Sequence, residues 1–161
     1  MPVTADITAT YRGPGRVIDR LLAAGQREDR ALVILMAFCV LMFVAQMPRL
    51  AREAHLGGGD LNMLLGGALM GWIFIAPLAL YLLAALSHLV ARLFGARGSW
   101  YGARLALFWA LLASSPLILL HGLVAGFIGN SPALSLVGAL WLGVFAWFWI
   151  AGLIRAERGA A

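Results

Sequence analysis

Three long stretches of the chain contain no acidic or basic residue, and they set its predicted organisation. The first has 18 residues, which as a helix span about 27 Å and cross a bilayer core of about 30 Å once. The second has 31 residues and suits one long or tilted helix, whereas the third has 50 residues, too many for one crossing. The stretches are Ala31–Pro48, Leu61–Ala91 and Leu105–Ile154.

The third stretch divides at residues 129–132, whose Gly-Asn-Ser-Pro sequence has strong turn chemistry. An alternative divides the second stretch at Pro77 as well, but each half, at about 15 residues, is short for a span. We therefore predict an all-α fold, a polytopic transmembrane helical bundle of four spans. The predicted spans cover about 31–48, 61–92, 100–128 and 132–154.

An amphipathic helix is predicted before the first span, within an N-terminal segment of residues 1–30. Pro14 suits the first helical position, and Gly25 suits the position just after the helix. The apolar residues between them share one helical face: Val17, Ile18, Leu21 and Leu22. We expect this helix to lie in the membrane interface. Its role is either to anchor the topology or to sense lipid and dock a partner.

Composition and charge fit a membrane protein and exclude most soluble classes. Hydrophobic residues make up 63% of the 161 residues and charged residues only 12%, far from the proportions of soluble domains. The formal net charge is +5, and all 12 basic residues are Arg, which is typical of a GC-rich bacterial coding sequence. Four spans place ten Arg on one face and two, Arg49 and Arg52, on the other. The positive-inside rule then predicts a bacterial inner membrane protein with both termini, including the tail 155–161, in the cytoplasm.

Basic surface charge also suits nucleic acid, but the positive-inside rule accounts for it here, so no nucleic-acid partner is expected. Four arginines are candidate contacts for anionic lipid head groups or for a partner: Arg16, Arg20, Arg97 and Arg104. The single cysteine, Cys39, lies inside an apolar run and allows no intrachain disulfide.

Few residues are candidates for chemistry, because nothing charged lies inside the predicted spans. No nucleophile, phosphate-binding or metal-ligand motif is present, so no catalytic site, metal site or cofactor is predicted. One candidate intramembrane polar cluster remains, formed by His88, Ser114, Ser115 and His121. The alternative is that each side chain bonds separately to a neighbouring helix. Pro116 removes a backbone hydrogen bond and predicts a kink beside the two serines.

Two GxxxG patterns allow close approach of helices. Gly67 and Gly71 lie in the second span, and Gly122 and Gly126 lie in the third. They predict either packing inside the bundle or association with another chain, such as a second copy.

The order of these features resembles the Yip-domain family of multi-pass membrane proteins, over most of residues 11–157. The resemblance is closest over residues 89–116, where a span is followed by a Gly/basic loop with Gly-Ser-Trp and a helix carrying Ser-Ser-Pro. The Arg-Glu-Asp-Arg sequence at 27–30 is also similar to bacterial members. Family members commonly have five spans, so a fifth span contributed by another chain stays open. The Asp-Leu-Tyr-Gly-Pro-like element of some eukaryotic members is absent, so Rab binding is not carried over.

The resemblance implies an integral, non-enzymatic protein that binds partners or shapes membranes. Absence of buried charge, small-residue helix faces and a basic surface favour the same function, a scaffold or accessory subunit. The alternative is a small transporter or channel for a neutral or lipidic solute, with Pro77, Pro116, Ser114, Ser115 and His121 lining a polar break at depth. A membrane enzyme has almost no support.

Overall fold

The computed structural model describes residues 2–158 and contains helices but no strand within that range. Met1 and residues 159–161, part of the predicted C-terminal tail, lie outside the described residues. The helices are α1 (Val3–Arg12), α2 (Pro14–Ala23), α3 (Glu28–Gly57), α4 (Leu61–Leu69), the π-helical segment Met70–Ile75, α5 (Ala76–Leu93), α6 (Trp100–Ala113), α7 (Ser115–Phe127) and α8 (Pro132–Arg158). The all-α prediction is confirmed.

Three helices are long and apolar enough to cross a membrane: α3, the continuous helix Leu61–Leu93, and α8. A fourth crossing is present if α6 and α7 count as one broken span, because these two helices together pass the same test. They meet at an angle of 45°. The break lies at Ser114, two residues before Pro116, whose ring and missing N–H disrupt a continuous helix, so the predicted kink is confirmed.

Hydrogen bonds between distant segments define one end of the bundle. Glu28, at the start of α3, pairs with Arg104 near the start of α6. Glu157, near the end of α8, pairs with His88 near the end of α5. Helices α1 and α2 dock beside this end. We call it the basic end, because ten of the 12 arginines lie in the segments that meet there.

At the opposite end of the bundle, which we call the distal end, the last turns of α3 and α7 contact each other. The Arg52 guanidinium donates to the carbonyl oxygens of Gly126 and Phe127, at 3.3 and 3.1 Å. The broken helix α6–α7 therefore runs from the basic end to the distal end, antiparallel to Leu61–Leu93 and to α8.

Helix α6 forms the centre of the bundle, since 12 of its 14 residues are buried. Helices α3, α5 and α8 pack around it, and α1 and α2 cover the remaining side. Phe108, fully buried, makes an edge-to-face contact with Tyr81 of α5, with ring centroids 5.0 Å apart. The helix thus lies among protein rather than lipid along its length.

The N-terminal helix α2 forms where the sequence predicts it, with Pro14 in its first turn and a positive φ of 88° at Gly25. Two of the four residues of its apolar face are buried against protein, however, and the position of the helix in the membrane interface stays a prediction. Val17 and Ile18 are only 3% and 1% exposed, because they pack against the bundle. Ile18 lies against α8 at Gly152, a glycine that leaves room for it.

Helix α1, which the sequence did not indicate, completes this docking. Trp109 of α6 donates its indole N–H to the buried hydroxyl of Thr10, at 3.0 Å. The ring of Tyr11 meets that of Phe148 edge-on, with centroids 4.9 Å apart. A polar contact and a ring contact therefore attach α1 to two different helices.

Two predicted boundaries differ from those observed. Helix α3 continues past the predicted end of the first span to Gly57, with Pro48 inside it. Helix α8 continues to Arg158, so the described part of the predicted tail is helical. The turns at Gly95 and Gly129, both with positive φ, fall where the sequence predicts breaks.

Candidate functional site

The most unusual feature of the structure is a buried acid–imidazole pair at the basic end. His88 Nδ1 lies 2.7 Å from Glu157 Oε1, and the two side chains are only 2% and 7% exposed. Ionisable side chains are almost never buried this deeply unless they are paired. When Glu157 is ionised, its carboxylate only accepts, so Nδ1 of His88 is the donor.

The second carboxylate oxygen of Glu157 is also hydrogen-bonded, so both oxygens of this side chain have a partner. Gly98 in the α5–α6 loop donates its backbone N–H to Glu157 Oε2 at 2.9 Å. A Cβ at Gly98 would lie 2.5 Å from that oxygen and 2.6 Å from the Ala156 carbonyl oxygen, so only glycine fits. Trp100 packs on the imidazole, with ring centroids 4.4 Å apart. We call these four residues, His88, Gly98, Trp100 and Glu157, the His88 cluster.

The His88 cluster connects segments that are far apart in the sequence. The two hydroxyls that flank it in the sequence are both engaged by backbone: Ser87 donates to Ala84 at 2.8 Å, and Ser99 accepts from the Gly102 N–H at 3.0 Å. The cluster therefore ties the end of α5, the α5–α6 loop and the end of α8 together.

Sequence reasoning missed Glu157, which it placed in a solvated tail. The pair joins residues 69 positions apart, and no local spacing or periodicity relates them. The only available signal was one acidic residue three positions after the predicted end of the fourth span, and such a residue is far more often solvent-exposed.

The predicted intramembrane polar cluster does not form as a unit. His88 contacts Glu157, whereas His121 lies against Gly138, where a Cβ would meet its Nε2 at 3.4 Å. These two positions on α8 are 19 residues apart, or about 28 Å along the helix axis. His88 belongs to the basic end, and His121 lies toward the distal end.

The two serines of that predicted cluster lie at the break between α6 and α7 instead. Ser114 donates to the Leu111 carbonyl at 3.0 Å and accepts from the Trp141 indole N–H at 3.1 Å. Ser115 is buried beside it. The hydroxyl of Ser114 thus satisfies a carbonyl near the break and holds α8 against it.

The four candidate arginines have different surroundings. Arg104 pairs with Glu28, and Arg20 lies 2.5 Å from Asp6, so both join parts of the protein. Arg16 is exposed and lies against Gly13. Arg97 is exposed beside the His88 cluster and forms no ion pair with any residue in the range 2–158.

The two GxxxG patterns also differ. A Cβ at Gly122 would overlap the Ala45 backbone, and one at Gly126 would overlap Pro48, so this pattern packs α7 tightly against α3. A Cβ at Gly67 or Gly71 would meet nothing within 4 Å. The pattern of Gly122 and Gly126 therefore packs inside the bundle, whereas the pattern of Gly67 and Gly71 faces outward.

Within the described range 2–158, no group of three or more His, Cys, Asp or Glu side chains is placed to hold a metal ion. Comparisons with protein-family models, curated proteins and solved structures find no match. The resemblance to the Yip-domain family therefore stays a prediction, and the function rests on the geometry alone.

Proposed function

We propose that this chain is a non-catalytic integral membrane protein that acts as a scaffold or accessory subunit by binding another transmembrane helix. In this proposal the chain crosses a bacterial inner membrane four times, with α6 and α7 as one broken span. Ten of the 12 arginines belong to the basic end and two, Arg49 and Arg52, to the distal end. The positive-inside rule then supports a cytoplasmic basic end.

One observation carries the proposal: few residues of the helix Leu61–Leu93 are buried, and its first half combines this exposure with a GxxxG pattern. Only 6% of the residues in its most apolar window are buried, against 11% for α8, which is nearly as exposed but lacks GxxxG spacing, and 33% for α3. One face of its first half combines small residues with exposed large ones. This open face consists of Met63, Gly67, Met70, Gly71 and Phe74, with Met63 74% exposed.

The composition of the open face suits contact with a helix. Small residues let two helix backbones approach closely in a membrane, where packing rather than the hydrophobic effect drives association. Methionine side chains adapt to irregular partner surfaces. Helix α8 has an equally open glycine, Gly143, which lacks the GxxxG spacing and supplies a control position.

Photocrosslinking in native membranes tests this proposal. A photoreactive residue at Met70 is expected to give a discrete crosslinked product, whereas one at the equally exposed Leu140 of α8 is expected to give little. The double variant Gly67→Leu/Gly71→Leu is expected to lower the Met70 yield about ten-fold, which corresponds to a loss of about 1.4 kcal/mol of helix packing. A product of twice 17.2 kDa identifies a second copy, and another mass identifies a different partner.

The matched control is Gly143→Leu, which adds the same bulk to an open helix face. It is expected to leave the Met70 product unchanged. Equal crosslinking at Met70 and Leu140, or equal loss with either leucine variant, would contradict binding at the open face.

A second candidate, transport of a neutral or lipidic solute, draws on a cavity of about 290 Å³ between α3, α7 and α8. Gln46, Arg49 and His121 line it, near the distal end. His121 is the only one of the five residues proposed for a polar break that lines this cavity. The geometry therefore supports the scaffold better.

A further inference from the structure

An apolar groove runs between α5 and α8 on the outside of the bundle. It has a volume of about 450 Å³, and its walls are almost free of polar atoms. Its principal walls are Leu83, Leu86 and Val90 of α5 and Trp149, Ile150 and Leu153 of α8. A protein helix does not fill this groove within the described chain, so its occupant comes from outside.

At the basic end the groove adjoins a second cavity of about 590 Å³, which we call the polar cavity because three charged residues, Arg97, Glu157 and Arg158, stand among its apolar walls. The two cavities share Ala91, Phe94 and Leu153, so they form one continuous site. Phe94 is 87% exposed at the junction, which leaves an aromatic surface open where the site changes from apolar to charged.

Two arginines, Arg97 and Arg158, line the polar cavity, and both are exposed. Neither forms an ion pair with any residue between 2 and 158. Glu157 also lines this cavity, but its two oxygens already accept from His88 and Gly98. The polar cavity therefore offers two available guanidinium groups, while its one carboxylate is engaged elsewhere.

We propose that this site binds one anionic phospholipid, with its phosphate between Arg97 and Arg158 and an acyl chain in the groove. Guanidinium groups recognise phosphate oxygens through paired hydrogen bonds, and they bind phosphate at membrane interfaces. An occupant that carries an anionic group at one end and a long apolar chain at the other matches both parts of the site. The lipid site shares no residue with the open face, which lies in the first half of the helix Leu61–Leu93, so the two proposals can be tested separately.

The binding test uses the purified full-length chain in detergent and native mass spectrometry. Phosphatidylglycerol and phosphatidylcholine with identical acyl chains are titrated separately. Phosphatidylglycerol is expected to bind at least ten-fold more tightly. The double variant Arg97→Gln/Arg158→Gln is expected to weaken phosphatidylglycerol binding about thirty-fold, because each basic residue near an anionic head group contributes about five-fold.

The matched control is Arg12→Gln/Arg92→Gln, which removes the same charge from two exposed arginines that form no ion pair with residues 2–158 and do not line the site. It is expected to leave binding unchanged. A groove variant, Leu153→Trp, fills the junction and is expected to abolish tight binding while the protein stays folded by thermal denaturation.

Three outcomes would overturn the proposal. They are equal binding of the two lipids, equal loss in the site and control variants, and binding of glycerol phosphate as tight as that of phosphatidylglycerol. The last result would make the site a free-phosphate site in which the groove has no role.

Discussion

Replacing Glu157 by alanine is expected to lower the free energy of unfolding by roughly 3 kcal/mol, the usual cost of removing one partner of a buried pair. The substitution leaves the His88 imidazole and the Gly98 N–H buried or half-buried without their acceptor. Thermal or denaturant unfolding of the detergent-solubilised chain measures the effect.

The control is Glu53→Ala, because Glu53 forms an exposed pair with Arg49 one helical turn away, at 3.2 Å. Such a pair contributes under about 0.5 kcal/mol. A double-mutant cycle adds a second check: in a His88→Ala background the cost of Glu157→Ala is expected to shrink. An undiminished cost in that background would show that the His88 pairing does not stabilise the bundle.

The second large effect is expected at Gly122, where α7 touches α3. Gly122→Ala places a methyl group 2.9 Å from the Ala45 carbonyl carbon, and the nearest atoms are backbone, which cannot rotate away. Forcing the helices apart is expected to cost about 1–3 kcal/mol, the range for overpacked sites. The unfolding free energy in detergent again measures it.

Gly71→Ala is the matched control, since both glycines lie in a GxxxG pattern and Gly71 has nothing within 4 Å. It is expected to leave monomer stability unchanged or to raise it by up to about 1 kcal/mol, because alanine favours a helix more than glycine does and its methyl group meets no neighbour. Similar losses at Gly71 and Gly122 would contradict the assignment of one pattern to the interior and the other to the outside.

These two glycine pairs show which structural features the local sequence predicts and which it does not. The spacing predicts correctly that each pair occupies one helix face, and the proline at 116 predicts the bend. Whether a small-residue face meets protein or lipid depends on where the whole helix sits in the bundle. That position is set by contacts between segments far apart in the sequence, such as Arg52 with Gly126.

The docking of α1 and α2 and the His88 cluster were harder to predict for the same reason. An amphipathic face such as that of Val17 and Ile18 fits a lipid surface and a protein surface equally well by composition. The choice is made by Gly152, whose missing side chain receives Ile18. Likewise, Glu157 is buried because the end of α5 brings His88 to it and the α5–α6 loop brings Gly98.

Both proposals rest on the four-span arrangement, so the most direct measurement is cysteine accessibility in a bacterial inner membrane. Single cysteines are introduced at Leu56 and Ala96, with Cys39, which is fully buried, replaced by alanine. A membrane-impermeant maleimide applied from outside is expected to label position 56 and to reach position 96 only after the membrane is opened. Labelling of position 96 from outside the intact membrane would contradict the four-span topology with a cytoplasmic basic end.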